Sequence, residues 1–369
     1  MNLFEKSRKR IFLHVGADKC GSSSIQYFLS QNKHLKNNVG ENIDYMCIIP
    51  PGKIITQPEI ADTSQKIVQN FLNSNFAFNP CNLSKNLSKN ISDSIRKKVN
   101  YKKNLIFSSE GWLRNIYKRN NFCSFLNFFN EKLIYDIKVF AVVRSPASWI
   151  NSAWWQWGVW DKNYQSFEDW LEFAITQTNW FRYLYEYFDN PMIESINIVT
   201  LENNLINNFI KFLNLEEDIN YKSNPTNFSL DKNFYKVLLS IEDYKLNNKK
   251  EKDFFFCNHL FNSYKFHSET PWVLNQNHLT KIIKKTEKAN KKLLTLLSTE
   301  SRKNIVDNSE WWDPTAFANR NLSDPYLNDF SLDKNLTMLI YQLFKSNQKG
   351  FDFISSKSLQ KEYLDYLSL

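Results

Sequence analysis

The chain has 369 residues, of which 42% are hydrophobic and 16% aromatic, and a formal net charge of +9. That length and apolar content support a sizeable core and exclude wholesale disorder. The positive charge fits a solvated basic surface or an anionic ligand, and without a Lys/Arg-dense arm, a zinc-finger spacing or an RNA-binding signature it does not point to nucleic acid.

Residues 10–16 (RIFLHVG) form the first apolar run and read as a short buried strand. Ser22 to about Lys33 reads as a helix with Ile25, Phe28 and Leu29 on one face. Residues 43–49 suggest a second strand, and Leu83, Leu87, Ile91 and Ile95 recur every four residues as in an amphipathic helix. Residues 104–109 (NLIFSS) are a further strand candidate. The run 137–143 (IKVFAVV) is apolar throughout and suits a strand buried on both faces, followed by a helix from Pro146. Residues 195–201 (SINIVTL) give one more strand, with a helix through Leu213.

Strands separated by helices imply an α/β fold with a central parallel sheet. After about residue 220 the strand signals fade, and 232–246, 276–297 and 336–344 look helical. The expected organisation is an α/β core over 1–222 and a mainly helical extension over 223–369, joined near Pro225, with a single domain over 1–369 as the alternative.

The segment from His14 to Gln26, HVGADKCGSSSIQ, places a tight loop between a strand and a helix. Such a junction presents backbone N–H groups and a helix N-terminus to an anion. Lys19 adds a positive charge, Gly21 permits close backbone approach, and Ser22, Ser23 and Ser24 offer hydroxyls. The lysine precedes the glycine, so this is not the Walker A pattern, in which it follows. Lys19-Cys20-Gly21-Ser22-Ser23-Ser24 instead resembles the phosphosulfate-binding loop of the sulfotransferases that use 3′-phosphoadenylyl sulfate (PAPS), K-[TS]-G-[TS]-[TS]-[ST]. It departs only at Cys20, where threonine is usual.

The second motif is Arg144-Ser145-Pro146, with serines again at 148 and 152. Arg144 sits at the C-terminal end of a strand, where open α/β sheets bind ligands. Ser145, Ser148 and Ser152 share one helical face, and a guanidinium with a hydroxyl suits a phosphate monoester. Arg144 and Ser152 also keep the spacing of the 3′-phosphate site in the same superfamily. Two sites of this kind imply a ligand phosphorylated at both ends of its nucleoside, which ATP is not.

The resemblance implies a P-loop-like sulfotransferase core acting on an acceptor hydroxyl, on a carbohydrate or glycolipid, with PAPS as donor and no metal. Lys19 would stabilise charge on the leaving phosphate. Glu110, which follows the strand 104–109, is the candidate base, and His14 is the runner-up. Trp154, Trp155, Trp157 and Trp160 follow the second motif, and both core packing and an acceptor cleft remain open for them. The competing readings are a P-loop-type kinase, which would need ATP and Mg²⁺, and a non-catalytic nucleotide-binding module.

Five scattered cysteines with no CxxC pair argue against a disulfide framework and a zinc site. No apolar segment approaches the roughly 18 residues that span a bilayer, and the first residues run straight into a strand. A cytoplasmic protein with no integral membrane segment is the expectation.

Overall fold

The computed structural model describes residues 9–32, 35–49, 53–56, 103–109, 111–113, 126–127, 135–161, 163, 166–201, 204–215, 270–320 and 322. The expected helices at 83–95, 232–246 and 336–344, and the junction at Pro225, lie outside them.

The strands are β1 (Lys9–Gly16), β2 (Leu35–Lys36), β3 (Asn42–Ile49), β4 (Lys53–Thr56), β5 (Asn104–Ser109), β6 (Tyr135–Val143) and β7 (Ile193–Thr200). The helices are α1 (Ser22–Gln31), α2 (Pro146–Gln156), α3 (Phe167–Gln177), α4 (Trp180–Phe188), α5 (Leu205–Leu213), α6 (Gln276–Leu294) and α7 (Thr299–Asp307). The sheet order is β2-β3-β5-β1-β6-β7, with β4 paired to β3. The pairs β3–β5, β5–β1, β1–β6 and β6–β7 are parallel, whereas β2 and β4 run antiparallel to β3. The molecule is thus of the α/β class, with a mostly parallel central sheet and helices around it.

The apolar runs explain the order. β1, β5 and β6 lie in the middle, and Ile11, Leu13, Val15, Ile106, Val139 and Ala141 are all completely buried or nearly so. A strand covered by helices on both faces has no solvent side, so it needs no polar alternation. β7 is half-buried or exposed over its first five residues and buried only over Ile198–Thr200, as befits the edge of the sheet. On one face Phe140 packs edge-on against Phe209 of α5, at 5.1 Å between ring centroids.

The chain clusters into two compact units, interleaved along the sequence. The first spans Met1–Trp149, Ile175–Asn224 and Ile283–Asp313, and holds the sheet. The second takes in Ile150–Ala174, Pro225–Ile282 and Pro314–Leu369.

Among the described residues of the second unit, aromatic rings pack together. Trp154 meets Phe167 and Trp170 edge-on, with centroids 4.9 and 5.1 Å away. Gly158 lies against both tryptophans, and a Cβ there would overlap Trp154 and Trp170. Trp155 Nε1 donates to the Pro271 carbonyl at 2.6 Å, which also accepts from Asn151 Nδ2 at 3.0 Å. Trp154 and Trp155 are 6% and 3% exposed, so these two members of the tryptophan cluster fill a core.

Among the described residues no helix is long and apolar enough to cross a membrane.

Candidate functional site

Register brings four strand ends to one edge of the first unit. Gly16, the last residue of β1, pairs with Val142 of β6. Ser109, which ends β5, pairs with Val15. Thr200, which ends β7, pairs with Val143. The chain leaves β1 towards β3 and β5 on one side and builds β6 and β7 on the other. Loops at the carboxyl ends of such a sheet, beside the strand where the order reverses, form a natural ligand crevice.

The loop from β1 to α1 is tightly wound. Lys19 and Gly21 both have left-handed backbone, with φ of 63° and 82°. Glycine adopts that conformation freely, whereas a lysine does so at a cost of order 1 kcal/mol and needs its surroundings to hold it there. The Cys20 N–H closes the turn onto the Ala17 carbonyl at 3.2 Å, and the Ser24 N–H returns to the Gly21 carbonyl at 3.0 Å. Gly21 precedes α1 and lies against Leu201 and Leu205, where a Cβ would overlap the Leu205 side chain.

The two sequence motifs meet here. Arg144 Nη1 donates to the Lys19 carbonyl at 3.4 Å. Trp149 Nε1 donates to the neighbouring Asp18 carbonyl at 2.8 Å. Arg144 is steadied in turn by Trp180, whose Nε1 donates to the Arg144 carbonyl at 2.9 Å. The rings of Trp149 and Trp180 pack edge-on at 5.9 Å. The Trp149 indole and the Arg144 guanidinium therefore hold the loop, and the Trp180 indole holds the Arg144 backbone. Neither Trp149 nor Trp180 stands out in the sequence as a site residue, because an indole N–H leaves no spacing signature.

The remaining expected residues occupy varied settings. Lys19, Ser23 and Ser24 are half-buried, and Cys20 is fully buried. Ser22 is 1% exposed, and its hydroxyl has no hydrogen-bond partner. A buried hydroxyl at a helix N-terminus without a partner is the kind of group that water or a ligand oxygen satisfies. A Cβ on Gly16 would overlap that hydroxyl, so the close approach depends on glycine at 16. Ser152 is buried and belongs to the second compact unit. Glu110 lies outside the described residues, one position beyond Ser109.

His14 is completely enclosed in the sheet face below the loop. Its Nδ1 lies 2.8 Å from Ser108 Oγ, and Nε2 has no partner. Burial lowers its pKa from 6.5 to about 3. The unfolded chain protonates at His14 below pH 6.5, whereas the folded chain does so only near pH 3. The unfolded state therefore binds more protons in that window, and stability falls as pH drops from 6.5 towards 3. The slope from this one group approaches about 1.4 kcal/mol per pH unit. Urea midpoints at about pH 7.5 and about pH 5 should accordingly separate by less in His14→Gln than in the parent chain. Equal separations would show that His14 does not carry this acid sensitivity.

Among the described residues no group of three or more His, Cys, Asp or Glu side chains is arranged to hold a metal ion. No protein-family model, no curated protein and no solved structure matches the chain.

Proposed function

We propose that the chain is a PAPS-dependent sulfotransferase that sulfates a hydroxyl, on a carbohydrate in the first instance. The observation that carries this reading is the hydrogen bond from Arg144 to the Lys19 carbonyl. Two motifs separated by more than a hundred residues each resemble one half of a site for a doubly phosphorylated nucleoside, and they adjoin at a single sheet edge. The buried, unpartnered Ser22 hydroxyl and the left-handed Gly21 at the start of α1 fit a phosphosulfate oxygen at that helix end.

In this reading Lys19 and the α1 N-terminus hold the 5′-phosphosulfate, while Arg144 holds the 3′-phosphate. The acceptor oxygen forms a bond to sulfur as the bond from sulfur to the bridging phosphate oxygen breaks. The acceptor proton passes to a base, and 3′,5′-adenosine bisphosphate leaves. Lys19 offsets charge growing on the phosphate, the electrostatic role on which group transfer of this kind depends. Glu110 is preferred to His14 as the base, because His14 is enclosed and held neutral by burial.

Calorimetry with 3′,5′-adenosine bisphosphate, without metal, and with ATP plus Mg²⁺ tests the donor assignment. Tighter binding of the bisphosphate is expected. A preference for ATP with Mg²⁺ would replace this reading with the kinase one.

A further inference from the structure

The first turn of α2 already holds an anion. Ser145 Oγ and Ser148 Oγ donate at 2.6 and 2.8 Å to one carboxylate oxygen, Oε2 of Glu310. Glu310 arrives from far along the chain, in the short 3-10 turn Ser309–Trp311. That turn is well anchored. Asn308 Oδ1 accepts from the Glu310 N–H at 3.0 Å, and Trp311 is 1% exposed, its carbonyl accepting from Asn290 Nδ2 at 3.5 Å.

The anchoring applies to the backbone. The carboxylate reaches the serines through three rotatable side-chain bonds, so it can leave them without disturbing Trp311. The helix beneath has 11 residues, and its first N–H groups favour negative charge. Ser145 is 3% exposed, so an anion seated there is shielded from water.

We propose that Ser145, Ser148 and the α2 N-terminus form an anion subsite, that Glu310 fills it in the ligand-free chain, and that a phosphate monoester displaces Glu310 on binding. Assigning that phosphate to a 3′-phosphonucleoside rests on the donor reading above. Two hydroxyls converging on one carboxylate oxygen make the arrangement that a phosphate oxygen takes, and a phosphoryl group brings more charge and three such oxygens. Glu310 thus lowers the apparent affinity of the subsite by the factor needed to release it. It also favours ligands that engage both serines and Arg144 over weaker anions, since only those replace the hydrogen bonds lost.

The test compares the parent chain with Glu310→Gln by calorimetry, using 3′,5′-adenosine bisphosphate and 5′-AMP, which lacks the 3′-phosphate. Glu310→Gln should bind the bisphosphate roughly tenfold more tightly, with 5′-AMP affinity unchanged. A Ser145→Ala, Ser148→Ala double variant should bind the bisphosphate about tenfold more weakly, with thermal melts establishing that each variant folds. Equal or weaker bisphosphate binding by Glu310→Gln overturns the proposal and makes the carboxylate a positioning group. If neither chain binds the bisphosphate, the donor reading fails, and inorganic phosphate decides the subsite by itself. Greater thermal stabilisation of Glu310→Gln than of the parent by phosphate then supports it, and equal stabilisation overturns it.

Discussion

Gly21→Ala is expected to destabilise the chain by about 3 kcal/mol, whereas Gly40→Ala should cost about 1 kcal/mol. The two glycines share a left-handed backbone, with φ of 82° and 77°. They differ in what surrounds them. A Cβ on Gly40 meets nothing within 4 Å, so that substitution carries only the conformational penalty. A Cβ on Gly21 overlaps Leu205 and lies 2.8 Å from Leu201 Cδ1. Both leucines belong to the segment that leads from β7 into α5, and Leu205 is 5% exposed, so it has little room to yield. Relief must come from the loop, which would shift Lys19 and the first turn of α1. Urea unfolding of the two variants measures the difference, and calorimetry should show that Gly21→Ala alone loses bisphosphate binding. Equal stability losses would mean that Leu201 and Leu205 adjust freely and do not confine the loop.

Arg144→Ala is expected to weaken binding of 3′,5′-adenosine bisphosphate by about a hundredfold or more. The side chain has two tasks in the proposed site. It donates to the Lys19 carbonyl, which holds the loop, and in the proposed reading it supplies the charge that binds the 3′-phosphate. A planar guanidinium can serve both at once, whereas an ammonium offers a point charge, so Arg144→Lys should restore little of the loss. Glu110→Gln provides the contrast. It should leave bisphosphate affinity within about twofold and remove nearly all turnover, because a general base acts on the acceptor proton and not on the donor. Turnover that survives Glu110→Gln would take the base assignment away from Glu110. Unchanged affinity in Arg144→Ala would remove the 3′-phosphate assignment.

The expected strands at 10–16, 104–109, 137–143 and 195–201 all occur, within two residues at each end. They were legible because central parallel strands need apolar residues on both faces, and uninterrupted apolar runs are easy to see. The helix expected from 276 is also present, as Gln276–Leu294. The short strands Leu35–Lys36 and Lys53–Thr56 were not anticipated. Two to four residues carry no period, and both exist by pairing antiparallel with β3. The helix Phe167–Gln177 likewise lay outside the expectation, although Trp170, Leu171 and Ala174 form its buried stripe.

The parallel α/β core, the order of its central elements along the chain, and the two motifs that mark strand-to-helix junctions are all readable from the amino-acid order alone. Those features are local, and local chemistry writes them: apolar runs, a glycine ahead of serines, an arginine before Ser-Pro. It took the folded chain to show that Arg144 reaches the Lys19 carbonyl, that Trp149 holds the Asp18 carbonyl of the same loop while Trp180 holds the Arg144 carbonyl, and that Glu310 caps the two serines that follow. Each of those contacts joins residues 36 to 165 positions apart. Their partners are backbone carbonyls and serine hydroxyls, groups present throughout the chain, so no spacing pattern distinguishes them until sheet register and helix packing bring them within hydrogen-bond reach.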